Sequence, residues 1–346
     1  MMNRYILILL TLLYMGCANI VPPSGGEKDT NPPNLLASTS KFNIDQTTLS
    51  LEFNERIEEN NFKKYFYTSP PINNFKYQIK GKLLEITIHE EISDDTKYFI
   101  CLDNCIKDIT EGNILSSLSF EINNYDSSIS KFFSLDVLLE NAYTRAPEQN
   151  QWVLIYDKEI DDSLIFKNSP KYISRTNDKG ISSFNNLTEK TYKVASISGS
   201  NYYYDLGDVI SFSNVLVSPF KDSSLNLLTF DPNYNPDSTI TQIDTLTVES
   251  GPLKVSTNIT GSYIVQILKS NRIILEKKIT NSSVFQLNKL TSGDYNLKII
   301  LDENGNGLWD TGDFKKRRQP EKVFVYPEKI IIRPNWDLEL IWNITQ

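Results

Sequence analysis

Few side chains in this sequence are suited to catalysis. Among 346 residues there is one histidine, His89, and there are three cysteines, Cys17, Cys101 and Cys105. A Ser-His-Asp or Cys-His catalyst would have to draw its base from that single imidazole, and Cys/His zinc modules lack their ligands. What the chain does offer is oxygen. Asp302-Glu303-Asn304-Gly305-Asn306-Gly307 follows the opening of a Ca²⁺ loop, in which alternate side chains converge because a glycine makes the sharp turn. The Leu308 carbonyl, Asp310 and Asp313 complete the ligand set. Asp313 stands where a bidentate Glu is usual, and its shorter reach implies weak affinity. The same residues can also form an Asx-rich turn that closes on its own hydrogen bonds without an ion.

Other candidates also carry two readings each. Trp309, Tyr203 and their neighbours Trp152, Tyr202 and Tyr204 offer flat faces for stacking sugars, or they pack over the ends of sandwiches. Lys315-Lys316-Arg317-Arg318 either meets a polyanion or is a solvated run balancing nearby carboxylates. Glu55 and Asp108 could be a carboxylate pair, although turn chemistry and edge solvation explain them better. Cys101 and Cys105 flank Leu102-Asp103-Asn104, and either close a small disulfide loop or remain two buried thiols; spacing alone does not decide. The charge balance, 35 Lys and Arg against 43 Asp and Glu for a net −8, with a pI near 5.0, disfavours nucleic acid as a partner.

The elements that must position these residues read as strands throughout. Short alternating runs are punctuated by Asn, Asp, Gly, Pro and Ser every eight to twelve residues or so, the pattern of all-β sandwiches. Three blocks separate: 33–125, 131–233 and 238–346. In the first, Leu49, Leu51 and Phe53 alternate with polar residues, as do Leu84, Ile86 and Ile88, which puts His89 on the wet side. In the second, Asn177-Asp178-Lys179-Gly180 is a hairpin turn, followed by Phe184, Leu187, Tyr192 and Val194. The third repeats the second in outline with Phe285, Leu290, Tyr295 and Leu297, and both tyrosine strands lead to an Asp-x-Gly-Asp loop. Its last strand is expected over Trp336–Trp342, with Trp336, Leu338, Leu340 and Trp342 on one face.

At the front, Tyr5–Tyr14 is an apolar run too short to span a bilayer, ending at Met15-Gly16-Cys17. It resembles the lipobox of bacterial lipoproteins, with Tyr14 departing from the usual aliphatic residue. That resemblance implies a signal peptide at 1–16, an acylated Cys17 and a tether at 17–32. Leu49–Ile57, the Tyr98 strand and the Asp108-x-x-x-Gly112-Asn113 turn resemble S-layer-type bacterial Ig-like domains. The second and third blocks resemble prealbumin-like, Cna-B-type modules, although Lys190 stands where that family has Gly. From Cys17–Thr30 to Asn335–Asp337, the whole chain is similar to a group of Bacteroidota lipoproteins, which implies architecture and no reaction. The fold class expected is therefore all-β: tandem antiparallel sandwiches, one Ig-like and two prealbumin-like. No acidic residue follows Cys17 within nine positions, so the resemblance favours the periplasmic face of the outer membrane. The expected function is a non-enzymatic spacer or interaction module held to the membrane by its lipid, with an envelope protein or polysaccharide as partner. The alternative is a glycan-binding accessory lipoprotein that uses Trp309 and Tyr203. Calcium is the one cofactor suggested.

Overall fold

The computed structural model describes residues 26–42, 46–93, 96–122, 131–234 and 250–345. The expected signal segment 1–16, Cys17 and the expected tether up to residue 25 lie outside the described residues.

The first module has nine strands: β1 (Leu35–Phe42), β2 (Thr47–Phe53), β3 (Ile57–Glu59), β4 (Tyr67–Ser69), β5 (Phe75–Lys80), β6 (Leu83–Ile88), β7 (Tyr98–Cys101), β8 (Ile106–Asp108) and β9 (Ser119–Ile122). One sheet runs β1-β2-β6-β5 and a second β4-β7-β9, while β3 pairs with β8. Leu49, Leu51, Phe53, Leu84, Ile86 and Ile88 are all buried, and alternate residues face outward, as period-two patterning demands. Asp108 is buried at the end of β8, where its carboxylate accepts the N–H groups of Glu111, Gly112 and Asn113. Burial pushes that carboxyl upward, but the ring of backbone donors outweighs it and holds the group below the usual range. Asp108 is a turn residue, not half of a catalytic pair. A single turn of helix, α1 (Phe62–Tyr65), links β3 to β4.

The second module comprises β10 (Phe133–Asn141), β11 (Trp152–Asp157), β12 (Tyr172–Arg175), β13 (Ile181–Leu187), β14 (Tyr192–Ile197), β15 (Ile210–Phe212) and β16 (Ser224–Thr229). The third comprises β17 (Ser250–Thr257), β18 (Ser262–Lys269), β19 (Arg272–Thr280), β20 (Val284–Thr291), β21 (Gly293–Leu301), β22 (Val323–Val325), β23 (Ile330–Ile332) and β24 (Leu338–Trp342). The two share one wiring. β10 lies between β13 and β16 as β17 lies between β20 and β24, and the order β12-β11-β14-β15 matches β19-β18-β21-β22. Both first strands slip register near their start, at Phe133/Leu135 and at Gly251/Leu253. Both tyrosine strands carry the same corner. The Tyr192 hydroxyl meets the Thr188 side chain at 2.7 Å, and Tyr295 meets Thr291 at 2.7 Å.

The expected all-β sandwich class stands; one feature is added to it and one strand boundary is corrected. The sheets are not wholly antiparallel, because the last strand of each module returns along the free edge of the first in parallel: β16 on β10 and β24 on β17. A connection that crosses the module permits this, whereas a tight hairpin would not. The final strand also starts at Leu338. Asn335 takes a positive φ of 54°, and Trp336 is 61% exposed and lies outside the strand.

Candidate functional site

Each module has its own core, and a further buried cluster belongs to two of them. The β12-β11-β14-β15 sheet turns Val153, Ile155, Tyr192 and Val194 toward its own module. Its other face, with Trp152, Leu154, Ala195, Ile197 and Phe212, joins Ile264, Ile300, Trp309 and Val323 of the third module in one cluster. Strands in this position read as continuous apolar runs because both faces are covered.

Polar groups finish this seam. Tyr143 donates to Gln266 Oε1 at 3.0 Å, the Thr311 hydroxyl to the Asp231 carbonyl at 2.7 Å, and Gln319 Nε2 to the Phe212 carbonyl at 2.9 Å. Arg317 donates to the Ser213 carbonyl at 2.6 Å, and its guanidinium lies 4.3 Å from the centre of the Phe212 ring. Lys315, Lys316 and Arg318 are exposed, but Arg317 is half-buried in the junction. One member of the basic run is thus a joint, a role that its sequence neighbours conceal. Gly312 belongs here too, since a Cβ added to it would lie 2.5 Å from the Phe230 ring.

The loop 302–313 is built into the same seam. Trp309 is only 7% exposed; its ring packs against Tyr143 at 5.0 Å and Tyr234 at 5.2 Å, and its Nε1 donates to the Glu321 carbonyl. Trp309 therefore cannot stack a sugar, because protein covers its ring. Asp302 Oδ2 accepts the Gly307 N–H, and Gly307 takes the φ of 73° that glycine favours. Asn304 and Asn306 each accept a backbone N–H two residues on, and their amides both donate to Asp310 Oδ2. Asp313 is engaged by the next turn, accepting from the Lys316 N–H and pairing with its ammonium. In its place, Glu321 lies under the loop and accepts the N–H groups of Glu303 and Asp310. Burial, and then the nearby Asp310 and Asp302, raise the Glu321 carboxyl above its usual range despite those two donors. Asp302 is buried, and its Oδ1 has no hydrogen-bond partner. Among the described residues, no three His, Cys, Asp or Glu side chains form a metal-holding group.

A second junction, between the first and second modules, is open. Asn186 donates to the carbonyls of Ser69 and Lys97, and the Ile173 N–H donates to the Ser69 hydroxyl. Beside these contacts lies a cleft of about 700 Å³, within the range of ligand sites. Its aromatic lining is Phe66, Tyr67, Phe75, Tyr77, Trp152 and Tyr202. Lys63 and Lys64 from α1 and Lys76 from β5 also line it, and all three are exposed. Tyr202 crosses the cleft to donate to Asn73 Oδ1 at 3.2 Å. The Arg175 guanidinium, which is not part of the lining, covers the Trp152 ring at 3.9 Å and donates to Asn150 Oδ1 at 2.7 Å.

Of the aromatics singled out from sequence, Tyr202 lines this cleft, Tyr203 is 44% exposed beside it, and Trp152 is floor. The first-module residues of the cleft were missed. Their signal was Phe62-Lys63-Lys64-Tyr65-Phe66-Tyr67, where lysines interleave with aromatics. His89 is half-buried just after β6. Cys101 and Cys105 are buried free thiols, not a disulfide. Burial pushes Cys101 up to about 12 and Cys105 further, so both are poor nucleophiles.

No protein-family model matches the chain, and comparison with curated proteins finds no match. Among solved structures, the Bacillus anthracis TIE protein aligns over 93% of this chain and 59% of its own, at 14% identity and a TM-score of 0.20. The minor pilin GBS52 of Streptococcus agalactiae aligns over 61% of this chain and 94% of its own, at 12% identity and a TM-score of 0.20. The MG0-NIE-MG1 portion of Escherichia coli alpha-2-macroglobulin covers 85% and 96%, at 8% identity and 0.23. This chain thus spans 59% of the length of the first of these. Overlaps so low carry no functional argument; the sandwich architecture rests on the strands themselves.

Proposed function

We propose that the chain is a non-enzymatic, lipid-anchored protein of the cell envelope, facing the periplasm from the outer membrane. In this reading Cys17 carries the lipid, and the sandwiches hold an interaction surface away from the bilayer. The observation that supports it is the buried cluster shared by the second and third modules. Independent modules on flexible linkers would leave those sheet faces wet; here the faces bury each other, so the joint resists bending. The test is Cys17→Ala in cells: the wild type should sediment with membranes and partition into detergent, and the variant should be released or stay unprocessed. Equal membrane retention of a correctly processed variant would refute the anchor.

Calcium is the second part of the proposal. Asp302 Oδ1 is a buried acceptor lacking a donor; Asn304, Asn306, Leu308 and Asp310 of the same loop offer further oxygens, and Glu321, which accepts the Glu303 and Asp310 N–H groups, would stand in for Asp313. Because the loop already closes on its own hydrogen bonds, an ion adds little to its shape, and affinity near about 1 mM is expected, as in extracellular modules. At 10 mM Ca²⁺, mass action then raises the melting temperature by about 2–5 °C. Asp302→Ala and Glu321→Gln should remove the shift, and Asp313→Asn should retain it. No shift in the wild type by differential scanning fluorimetry would eliminate the site.

A further inference from the structure

The open junction carries an inference beyond a spacer. We infer that the cleft between the first and second modules binds an acidic glycan strand, its sugar rings against Tyr77, Phe75 and Tyr202 and its carboxylate or phosphate groups toward Lys63, Lys64 and Lys76. Three observations converge on it.

The first is shape with chemistry. One side of the cleft is lined by Tyr77, Phe66 and Phe75, backed by the buried Phe62, with Tyr77 stacked on Phe62 at 3.9 Å, Phe62 on Phe66 at 5.0 Å, and Phe66 beside Phe75 at 4.6 Å. On the other side, Trp152 presents to Tyr202 edge-on, and Tyr202 leans on Tyr203 at 4.8 Å. Ring faces are electron-rich and suit the weakly positive C–H faces of pyranoses, while Asn73, Asn201 and Ser200 at the rim can meet hydroxyls.

The second is charge. The chain as a whole is acidic, yet this rim gathers three lysines, none of which makes an ion pair among the described residues. The nearby carboxylates are already engaged. Glu59 accepts the Tyr77 hydroxyl at 2.5 Å, and Glu90 accepts the backbone N–H groups of Asn73 and Asn74. Both serve to fix cleft residues. A neutral ligand would leave this charge unanswered, whereas an acidic one is complementary to it.

The third is position. The lining comes from two modules, so it exists only while their junction is made, and Tyr202 to Asn73 already bridges the two walls. The site does not depend on the lipid anchor, and it can fail while the spacer reading stands.

The test uses the full mature chain in detergent, run in native gels cast with polygalacturonate, hyaluronan or neutral dextran. Retardation by an acidic polymer and none by dextran is expected. Removing two rim charges in Lys63→Gln/Lys64→Gln should weaken retention about tenfold, as two partly exposed pairs would. Tyr202→Ala should do so by a similar factor of about ten through lost ring contact. A charge-matched control, Lys179→Gln/Lys329→Gln, alters exposed lysines of the second and third modules and should bind like the wild type. Each variant is melted first, so that an unfolded protein is not scored. Absence of retention by both acidic polymers, equal retention by dextran, or equal loss in the control would each overturn the assignment.

Discussion

Trp309→Ala should cost about 3–5 kcal/mol, the range for deleting a large buried aromatic. The loss should fall mainly on the joint between the second and third modules. The ring is 7% exposed, touches Tyr143 and Tyr234, and its Nε1 donates to the Glu321 carbonyl. Removing it opens a cavity in the cluster that holds the two sheets face to face, and orphans the carbonyl of the residue that clamps the 302–310 loop. The third module keeps its separate core of Leu253, Tyr263, Leu297 and their neighbours, so it should survive as a folded unit. The expected calorimetric signature is a melt that splits, with a transition for the third module moving away from the rest, and a larger radius of gyration by X-ray scattering. Trp309→Phe should recover most of the loss. One cooperative transition shifted by under about 1 kcal/mol would mean that Trp309 does not hold the joint, and a stiff spacer would lose its main support.

Much of the fold could be read from residue patterns, and the failures share a cause. Alternation works where one face of a sheet meets water. Leu49, Leu51 and Phe53 are buried as their spacing implies. It is silent where both faces are covered: Trp152 to Tyr156 are all buried, and so are Tyr263 to Ile267. Those runs announce that something packs on the outer face, but not what. The duplicated module was visible through Tyr192 and Tyr295 and the Asp-x-Gly-Asp loop after each, whereas the Thr188 and Thr291 partners of those tyrosines emerged only from the structure. Trp309 kept two readings, of which packing is the one found, and Arg317's place in the joint was in neither reading of the basic run, because a loop aromatic or a basic run looks the same whether it faces solvent or a neighbouring module. Asp313 fitted the spacing of a ligand, but a local turn with Lys316 claimed it. The cleft escaped notice because its walls come from segments some eighty residues or more apart, and no local pattern encodes that meeting.

Lys298 makes the opposite kind of prediction, a substitution that should stabilise. It is buried on β21 with its ammonium 4.0 Å from the centre of the Tyr143 ring, and among the described residues it has no carboxylate partner. Its neighbours in register are polar but already paired, since Gln266 accepts from Tyr143 and donates to Glu276. Burial therefore lowers the ammonium from 10.5 to about 8. Holding the proton at neutral pH then costs up to about 3 kcal/mol, from which the attraction to the Tyr143 ring returns about 1–2. Lys298→Met keeps the length and drops the charge, and should gain about 1–2 kcal/mol at pH 7. The sign with pH follows from where the proton is lost. Between about 8 and 10.5 the unfolded chain still holds the Lys298 proton and the folded chain does not, so this residue adds stability as pH rises through that window. Cys101 and buried tyrosines such as Tyr156, whose folded values lie near 12, act in the reverse sense, so only the difference between wild type and variant isolates Lys298. The variant's advantage in urea unfolding should be full at pH 7 and shrink steadily as pH rises toward 9.5. A constant advantage across that interval would mean that the gain comes from packing alone, and a variant less stable at pH 7 would show that the ring contact outweighs the buried charge.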